Sequence, residues 1–373
     1  MCFSNTRCVS TGKQARTDTM KKRFIAVSAA ALMASPLAVM AGDLNLYGEA
    51  HLSVDHADDK TDSSQFLASR FSTLGITGSE YLGMGLTGFF QYETEVNLTA
   101  GGDGLFDGTT ESFLGVQGGF GTVLGGMLDD PLFATLDGLD LFADRVGSVH
   151  TMARLDGATS HTNVLAYVTP DFNGFSFAAV YGPEQGTDKG SRFVGQLGFE
   201  GEVEGGTISA SLGYLQANEG VVNAVAELEP GDPGYNDLKL KIWQATFGYE
   251  ITDVWRGFAF YQDYGSSDVM EDDKAYGAGV GFMVSPQVEL LAQVSRYDAD
   301  ASREGATTYA LGADYFITDR TTLYGIAGMT RNKSEQALMP TDVDYYQGAG
   351  PEGISPAAGD NPWVVSLGVI HSF

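Results

Sequence analysis

From residue 43 to the C-terminus the chain is a succession of short runs in which apolar and polar residues alternate. That period of two most constrains what it can fold into. In the first run, Leu44, Leu46, Gly48, Ala50, Leu52 and Val54 alternate with Asn45, Tyr47, Glu49, His51, Ser53 and Asp55. Alternation of this kind puts one chemistry on each face of a β-strand. Leu86, Gly88, Phe90 and Tyr92 oppose Gln91, Glu93 and Glu95. Phe175, Phe177, Ala179 and Tyr181 form one more apolar set. Val288, Leu290, Ala292 and Val294 oppose Gln287, Glu289, Gln293 and Ser295, and Trp363, Val365, Leu367 and Val369 lead to Phe373. Sixteen such runs begin near residues 43, 66, 83, 111, 121, 160, 174, 190, 205, 239, 254, 273, 286, 303, 320 and 362.

The connections are of two kinds. Short ones, such as Tyr81 to Gly85, Gly118 to Gly121, Pro170 to Gly174 and Glu202 to Gly206, are rich in the residues tight turns require. Long ones, such as His56 to Gln65, Leu98 to Glu111, Asn218 to Leu238, Gly265 to Asp273 and Ser334 to Asn361, are acidic and irregular. Short turns at one rim and long loops at the other are the pattern of an outer-membrane barrel. A spanning sheet cannot leave edge amides in lipid, so the last strand must pair with the first. An even strand count allows this with antiparallel pairing throughout. After the first 41 residues no apolar run reaches the 18 or so residues a transmembrane helix needs. The expected fold is therefore an all-β transmembrane antiparallel barrel of about sixteen strands.

The N-terminal segment reads as a targeting signal. From Met20, Lys21, Lys22 and Arg23 form a basic start, Phe24 to Val39 is mostly apolar and small, and Ala38-Val39-Met40-Ala41 supplies a cleavage site. Residues 1–19 read as an over-extended start, 20–41 as a signal peptide and 42–373 as the barrel. Cys2 and Cys8 are the only cysteines, so a chain cleaved after Ala41 has no thiol for disulfides or Cys-based zinc sites.

The formal charge is −27. Losing residues 1–41 removes six of the 21 cations and one of the 48 acids, which leaves −32. Nucleic acid is excluded as a partner, since binding it needs a basic surface. A field of this sign favours a preference for cations, or adaptation to salt.

One stretch breaks the alternation. Gly121 to Val149 carries Asp129, Asp130, Asp137, Asp140 and Asp144 against a single cation, Arg145. It reads either as an acidic surface loop or, inside a barrel, as a loop over residues 129–150 that folds inward and sets what passes.

Five motifs in order make the chain similar to the Gram-negative general porins of the sixteen-stranded trimeric type. Asp43-Leu44-Asn45-Leu46-Tyr47-Gly48 resembles that family's first strand. Gly78-Ser79-Glu80-Tyr81-Leu82-Gly83-Met84-Gly85-Leu86 resembles its GSEDLGxGL turn, and Gly119-Phe120-Gly121-Thr122-Val123 its GFGTV strand. Tyr167 to Phe175 resembles YxSPxFxGF. His371-Ser372-Phe373 resembles the terminal HxF that the barrel-assembly machinery reads, with Phe373 as the assembly signal. The resemblance implies a homotrimer in contact with outer-membrane lipid and lipopolysaccharide. It implies a water-filled channel for small hydrophilic solutes and ions, with no cofactor, and a third long loop inside the lumen facing a ladder of wall Arg and Lys.

The departures sharpen this. The usual wall cations fall on Thr73, Thr77, Met127 and Ala166. Arg154 is the best remaining cation near the loop. Arg70 is another if the register differs, although its parity with Leu74 and Ile76 points it outward or to the rim, and Arg192 is a weaker candidate. The expected constriction is Asp129, Asp130, Asp137, Asp140, Asp144, Arg145 and Arg154. The expected wall is Glu49, Thr73, Thr77, Glu93, Met127 and Ala166, and cations are the expected preference.

Three other readings stand beside this one. A substrate-specific channel would need a basic stack, which is lacking, or an aromatic slide, which the 17 Tyr could hide. Tyr167, Tyr181 and Tyr315 fit lipid-facing girdles better. An enzyme would need a nucleophile with a base in reach. His51, His56, His150, His161 and His371 are scattered, and neither GxSxG nor HExxH occurs. Asp129 and Asp130 could ligate Ca²⁺ through oxygen, against which stands a solvated acidic loop. A soluble secreted β-protein is disfavoured by the terminal Phe and the outward apolar faces.

Overall fold

The computed structural model describes residues 43–100, 105–153, 160–183, 191–218, 239–251, 254–265, 272–341 and 354–373. The proposed start, the signal peptide and Arg154 lie outside the described residues, as do parts of the long loops. Strands β1 to β17 run in chain order through one sheet, every pairing antiparallel. The sheet closes on itself. β1 (Asp43–Asp58) pairs with β17 (Trp363–Ser372) from Glu49 opposite Ser372 to Asp58 opposite Trp363. Phe373 N donates to Gly48 O at 3.0 Å, so the terminal residue completes the seam.

Seventeen segments make sixteen barrel strands, because β2 (Ser63–Ser69) and β3 (Thr73–Gly83) are two halves of one. Both pair with β1. Leu52 stands opposite Ser69 and Glu49 opposite Thr73, so two residues of β1 face three on the other strand. The extra residue is a bulge, and a bulge reverses side-chain parity. Arg70 sits in it. The parity taken from Leu74 and Ile76 therefore fails for Arg70, which is fully buried inside the wall.

The barrel is apolar outside and polar inside. Leu44, Leu46, Leu114, Leu311 and Leu367 are exposed on the outer face, with Tyr167, Tyr181 and Tyr315. Ser53, Gln196, Gln244, Gln262, Gln293, Thr308 and Ser366 are buried on the inner one. A soluble protein would reverse this, whereas a lipid-facing wall requires it. No described helix is long and apolar enough to cross a membrane, so the strands do the crossing.

Between β6 (Gly121–Asp129) and β7 (Ser160–Val168) the chain leaves the wall and turns inward. It forms α1 (Pro131–Leu139), an irregular run and a single 3-10 turn, Val149–Thr151. Leu132, Leu136, Leu139, Leu141, Phe142, Val146 and Val149 of this loop are buried in one apolar cluster with Val194, Leu215, Ile242, Phe258, Phe260 and Ile326 of the wall. Burying one such side chain is worth about 1.5–3 kcal/mol, so the loop is a packed element.

Candidate functional site: the pore constriction

Local sequence explains how the loop starts. Asp130 caps α1: its Oδ1 accepts from Leu132 N at 2.6 Å and, more weakly, from Phe133 N at 3.4 Å, while Pro131 takes the first helical position, where no N–H is needed. Its Oδ2 lies 2.6 Å from His161 Nε2, and Arg192 Nη1 lies 2.8 Å from His161 Nδ1. Arg192 is a pure donor, so Nδ1 accepts and Nε2–H donates to Asp130.

Neutral amides then hold α1 to the wall. Gln196 Nε2 donates to Thr135 Oγ1 at 2.7 Å, and Gln244 Nε2 to Leu132 O at 2.8 Å. Gln262 Nε2 supports Gln244 Oε1 at 2.7 Å.

The second half of the loop is organised around Asp140. One carboxylate oxygen accepts from Phe142 N at 2.9 Å and Gln293 Nε2 at 2.7 Å; the other accepts from Ser148 Oγ at 2.7 Å and Val149 N at 2.9 Å. Burial pushes this carboxyl above its ordinary range, and the donors pull against it. Gln293 Nε2 also reaches Gly147 O at 2.9 Å. Arg145 Nη1 donates to Asp314 Oδ1 at 2.7 Å, Nη2 donates to Leu141 O, and the guanidinium lies 5.3 Å from the Tyr324 ring centre. Burial opposes the Arg145 charge most strongly, but Asp314, Tyr324 and Asp140 together outweigh it and hold the guanidinium protonated.

The loop thus follows the inner wall from β9 (Arg192–Val203) round to β16 (Thr321–Asn332). The opposite side, β1, β3, β4 (Leu86–Val96) and β5 (Phe106–Gly118), is lined by acids. Antiparallel register puts Glu49, Thr73 and Glu95 in one row. The next row is Tyr47, Gly75 and Glu93, where the Tyr47 ring fills the space a Gly75 side chain would need. Gln91 Nε2 donates to Glu111 Oε2 at 2.6 Å, Thr110 Oγ1 donates to Glu93 Oε1 at 2.7 Å, and Asp129 N reaches Glu111 Oε1 at 3.4 Å. From the loop, Asp144 faces this wall. Burial, then the charges of Asp137, Glu49, Asp140 and Glu95, push its carboxyl well above the ordinary carboxylate range. Asp137 lies 3.5 Å from His150 Nε2, and the His150 ring stacks on Phe133 at 4.4 Å.

Several expectations need correction. Asp130 and Asp140 are buried and shape the loop from within. Arg145 is bound to the wall and does not stand against the loop acids. Met127 pairs with Ser112, which pairs with the exposed Tyr92, so it shares the outward face. Ala166 is buried in the apolar cluster beneath the loop. Asp129 and Asp130 do not converge: Asp130 is occupied by its cap and by His161, and no group of metal-ligating residues occurs among the described residues. Asp129, Asp137, Asp144, Glu49, Thr73, Thr77 and Glu93 are all partly accessible. Glu95 and Gln293 read from the sequence only as polar-face residues of their strands, and Glu111 and Asp314 were not singled out as site residues. Inward parity within their strands is the signal that finds them.

A closed barrel with an apolar exterior, a polar interior and a loop packed inside defines a membrane channel. A profile for Gram-negative porins matches residues 26–335, and the chain belongs to that family. It is 28% identical to outer membrane porin protein 32 of Delftia acidovorans over 95% of this chain and all of that one. It is 29% identical to the major outer membrane protein P.IB of Neisseria gonorrhoeae over 73% of this chain and 78% of that one. Among solved structures, an anion-selective porin from Comamonas acidovorans matches with a TM-score of 0.72 at 23% identity, over 89% of this chain and all of that one. A trimer form of OmpT from Vibrio cholerae matches at 0.63 and 17% identity, over 90% of this chain and all of that one. The protein is thus a porin of the Gram-negative outer membrane, a channel for passive diffusion and not an enzyme.

Proposed function

We propose that this porin prefers cations. The observation that carries the reading is that both sides of the passage are acidic: Asp137 and Asp144 on the loop, Glu49, Glu93, Glu95 and Glu111 on the wall, with Asp129 at the loop's base. Arg70, Arg145 and Arg256 are each held against a carboxylate, Asp55 at 2.5 Å, Asp314 at 2.7 Å and Glu289 at 2.6 Å, and Arg192 is engaged with His161 at 2.8 Å. Acids in a narrow low-dielectric passage concentrate cations and repel anions. The anion-selective Comamonas porin shares the fold at 23% identity, a level at which pore charges are free to differ. Reversal potentials across planar bilayers in a KCl gradient test the proposal: a potential of the sign set by K⁺ flow supports it, and anion preference rejects it.

The same reading includes a homotrimer, for which the trimeric OmpT neighbour is the precedent. Residues 20–41 are its export signal, loop 129–150 its constriction and Phe373 its assembly signal. Unheated gel electrophoresis against a cross-linked ladder reads the oligomer.

A further inference from the structure

We propose that Leu338–Thr341, on the long connection after β16, is a second inward segment of the constriction, and that Arg70 is its positioning residue. The inference rests on the passage described above and not on its ion preference. Met339, Pro340 and Thr341 are buried, and Met339 belongs to the apolar cluster under the inserted loop. Gly147 N of that loop donates to Pro340 O at 2.6 Å. A side chain at Gly328, on the inner face of β16, would meet Val146 of the loop at 2.6 Å and Pro340 at 3.3 Å. Pro340 is therefore wedged between the wall and the inserted loop. At the near end, Asn332 exchanges two hydrogen bonds with Leu338, both at 3.0 Å. At the far end, Arg70 Nη1 donates to Thr341 Oγ1 at 2.8 Å.

Arg70 is suited to such a role. The bulge turns it into the wall, where it is completely buried. Asp55 Oδ2 at 2.5 Å compensates its charge, and Ser53 Oγ accepts from Nε at 3.1 Å. Asp55 therefore satisfies the charge, which leaves Nη1 to fix a hydroxyl far away in the chain. A buried guanidinium donor is costly to leave unmet, so the Thr341 hydroxyl is held in place. The result joins two connections remote in sequence. The inserted loop is braced at Gly147 by a segment that is itself anchored next to β1, and the passage is bounded on that side by both.

The test separates this role from general stability. Thr341→Val keeps the shape and removes the acceptor, while Thr341→Ser restores it. Met339→Cys, the single thiol of a chain cleaved after Ala41, reports opening of the segment to a membrane-impermeant maleimide. Thr341→Val is expected to label about tenfold faster, the factor of one lost buried hydrogen bond, with larger and noisier single-channel conductance. Thr341→Ser is expected to match the parent in both. Gel mobility before and after heating verifies that each variant is folded. Wild-type conductance in a folded Thr341→Val overturns the proposal, whether or not labelling accelerates. A Thr341→Ser variant that behaves like Thr341→Val overturns the assigned hydrogen bond. Neither result depends on which ion the channel prefers.

Discussion

Arg145 and Asp314 form a buried ion pair, Nη1 to Oδ1 at 2.7 Å, with side chains 8% and 2% exposed. The one cation of the inserted stretch is thus spent on β15 (Ala306–Thr318) and is unavailable to balance the loop acids. Breaking such a pair from one side leaves a charge without compensation, at about 3–5 kcal/mol, whereas replacing both sides with apolar groups is often neutral. Asp314→Ala should therefore lower the temperature at which the protein unfolds on heated gels. Arg145→Met combined with Asp314→Leu should recover most of the loss. A double variant no better than Asp314→Ala would show that the pair does not anchor the loop.

The acids of the loop fall into two groups that mutagenesis should separate. Asp137 and Asp144 are partly accessible, and Asp144 faces the glutamate rows, so Asp137→Asn or Asp144→Asn should reduce the reversal potential while conductance stays near wild type. Asp130 is completely buried against α1 and His161. Asp130→Asn should leave the sign and size of the reversal potential unchanged; Asn caps a helix about as well as Asp, so the stability lost is that of the His161 contact, where an amide NH2 replaces the accepting Oδ2. Equal effects of Asp130→Asn and Asp137→Asn on selectivity would overturn this division.

The barrel was legible because period-two alternation and turn residues are local signals. The run starting at residue 43 and the terminal Phe373 do meet at the seam, and the acidic stretch does leave the wall after the strand ending at Asp129. What escaped was set by register and by contacts between distant residues. Arg70 could be placed only conditionally, because one inserted residue reverses parity and the sequence around it looks like an unbroken strand. Met127 and Ala166 were read as wall positions by ungapped alignment to motifs, which cannot see that one faces outward and the other lies under the loop. Asp130 and Asp140 look no different in sequence from Asp137, and their bonds to His161 and Gln293 span 31 and 153 residues. A clue to the docking face was nonetheless present. Val194, Leu215, Ile242, Phe258 and Phe260 are apolar at inward parity, where a water-lined wall would be polar.

Gly147 brings the loop close against the wall. Its φ is +92°, and a Cβ there would lie 2.2 Å from Ala310 Cβ. Gly147→Ala meets both a strained backbone, at about 1–3 kcal/mol, and a clash with the wall. The variant should fold as a barrel but show unsteady conductance. Adding Ala310→Gly removes the clash and leaves the strain, so it should restore steadiness only in part. Steady wild-type currents in Gly147→Ala would mean that the loop does not need this close approach.

Selectivity should also depend on pH, through groups whose direction is fixed by geometry. The Asp144 carboxyl is raised well above its ordinary value by burial and by Asp137, Glu49, Asp140 and Glu95; that of Asp140 is raised by burial. In the unfolded chain both titrate near about 4. Between that value and the raised one, the native protein binds more protons than the unfolded chain, so stability falls as pH rises through the window. Charge in the passage appears over the same window, so cation preference should grow as stability declines. Reversal potentials measured from pH 4 to pH 8 should therefore rise toward neutral pH, with unfolding temperatures moving the opposite way. Asp144→Asn should flatten the selectivity curve and remove part of the stability change. Asp144 is only half-buried, so solvent screening moderates its share of the stability change. A reversal potential independent of pH, in a variant set where Asp144→Asn has no effect, would place the selective charges elsewhere in the barrel.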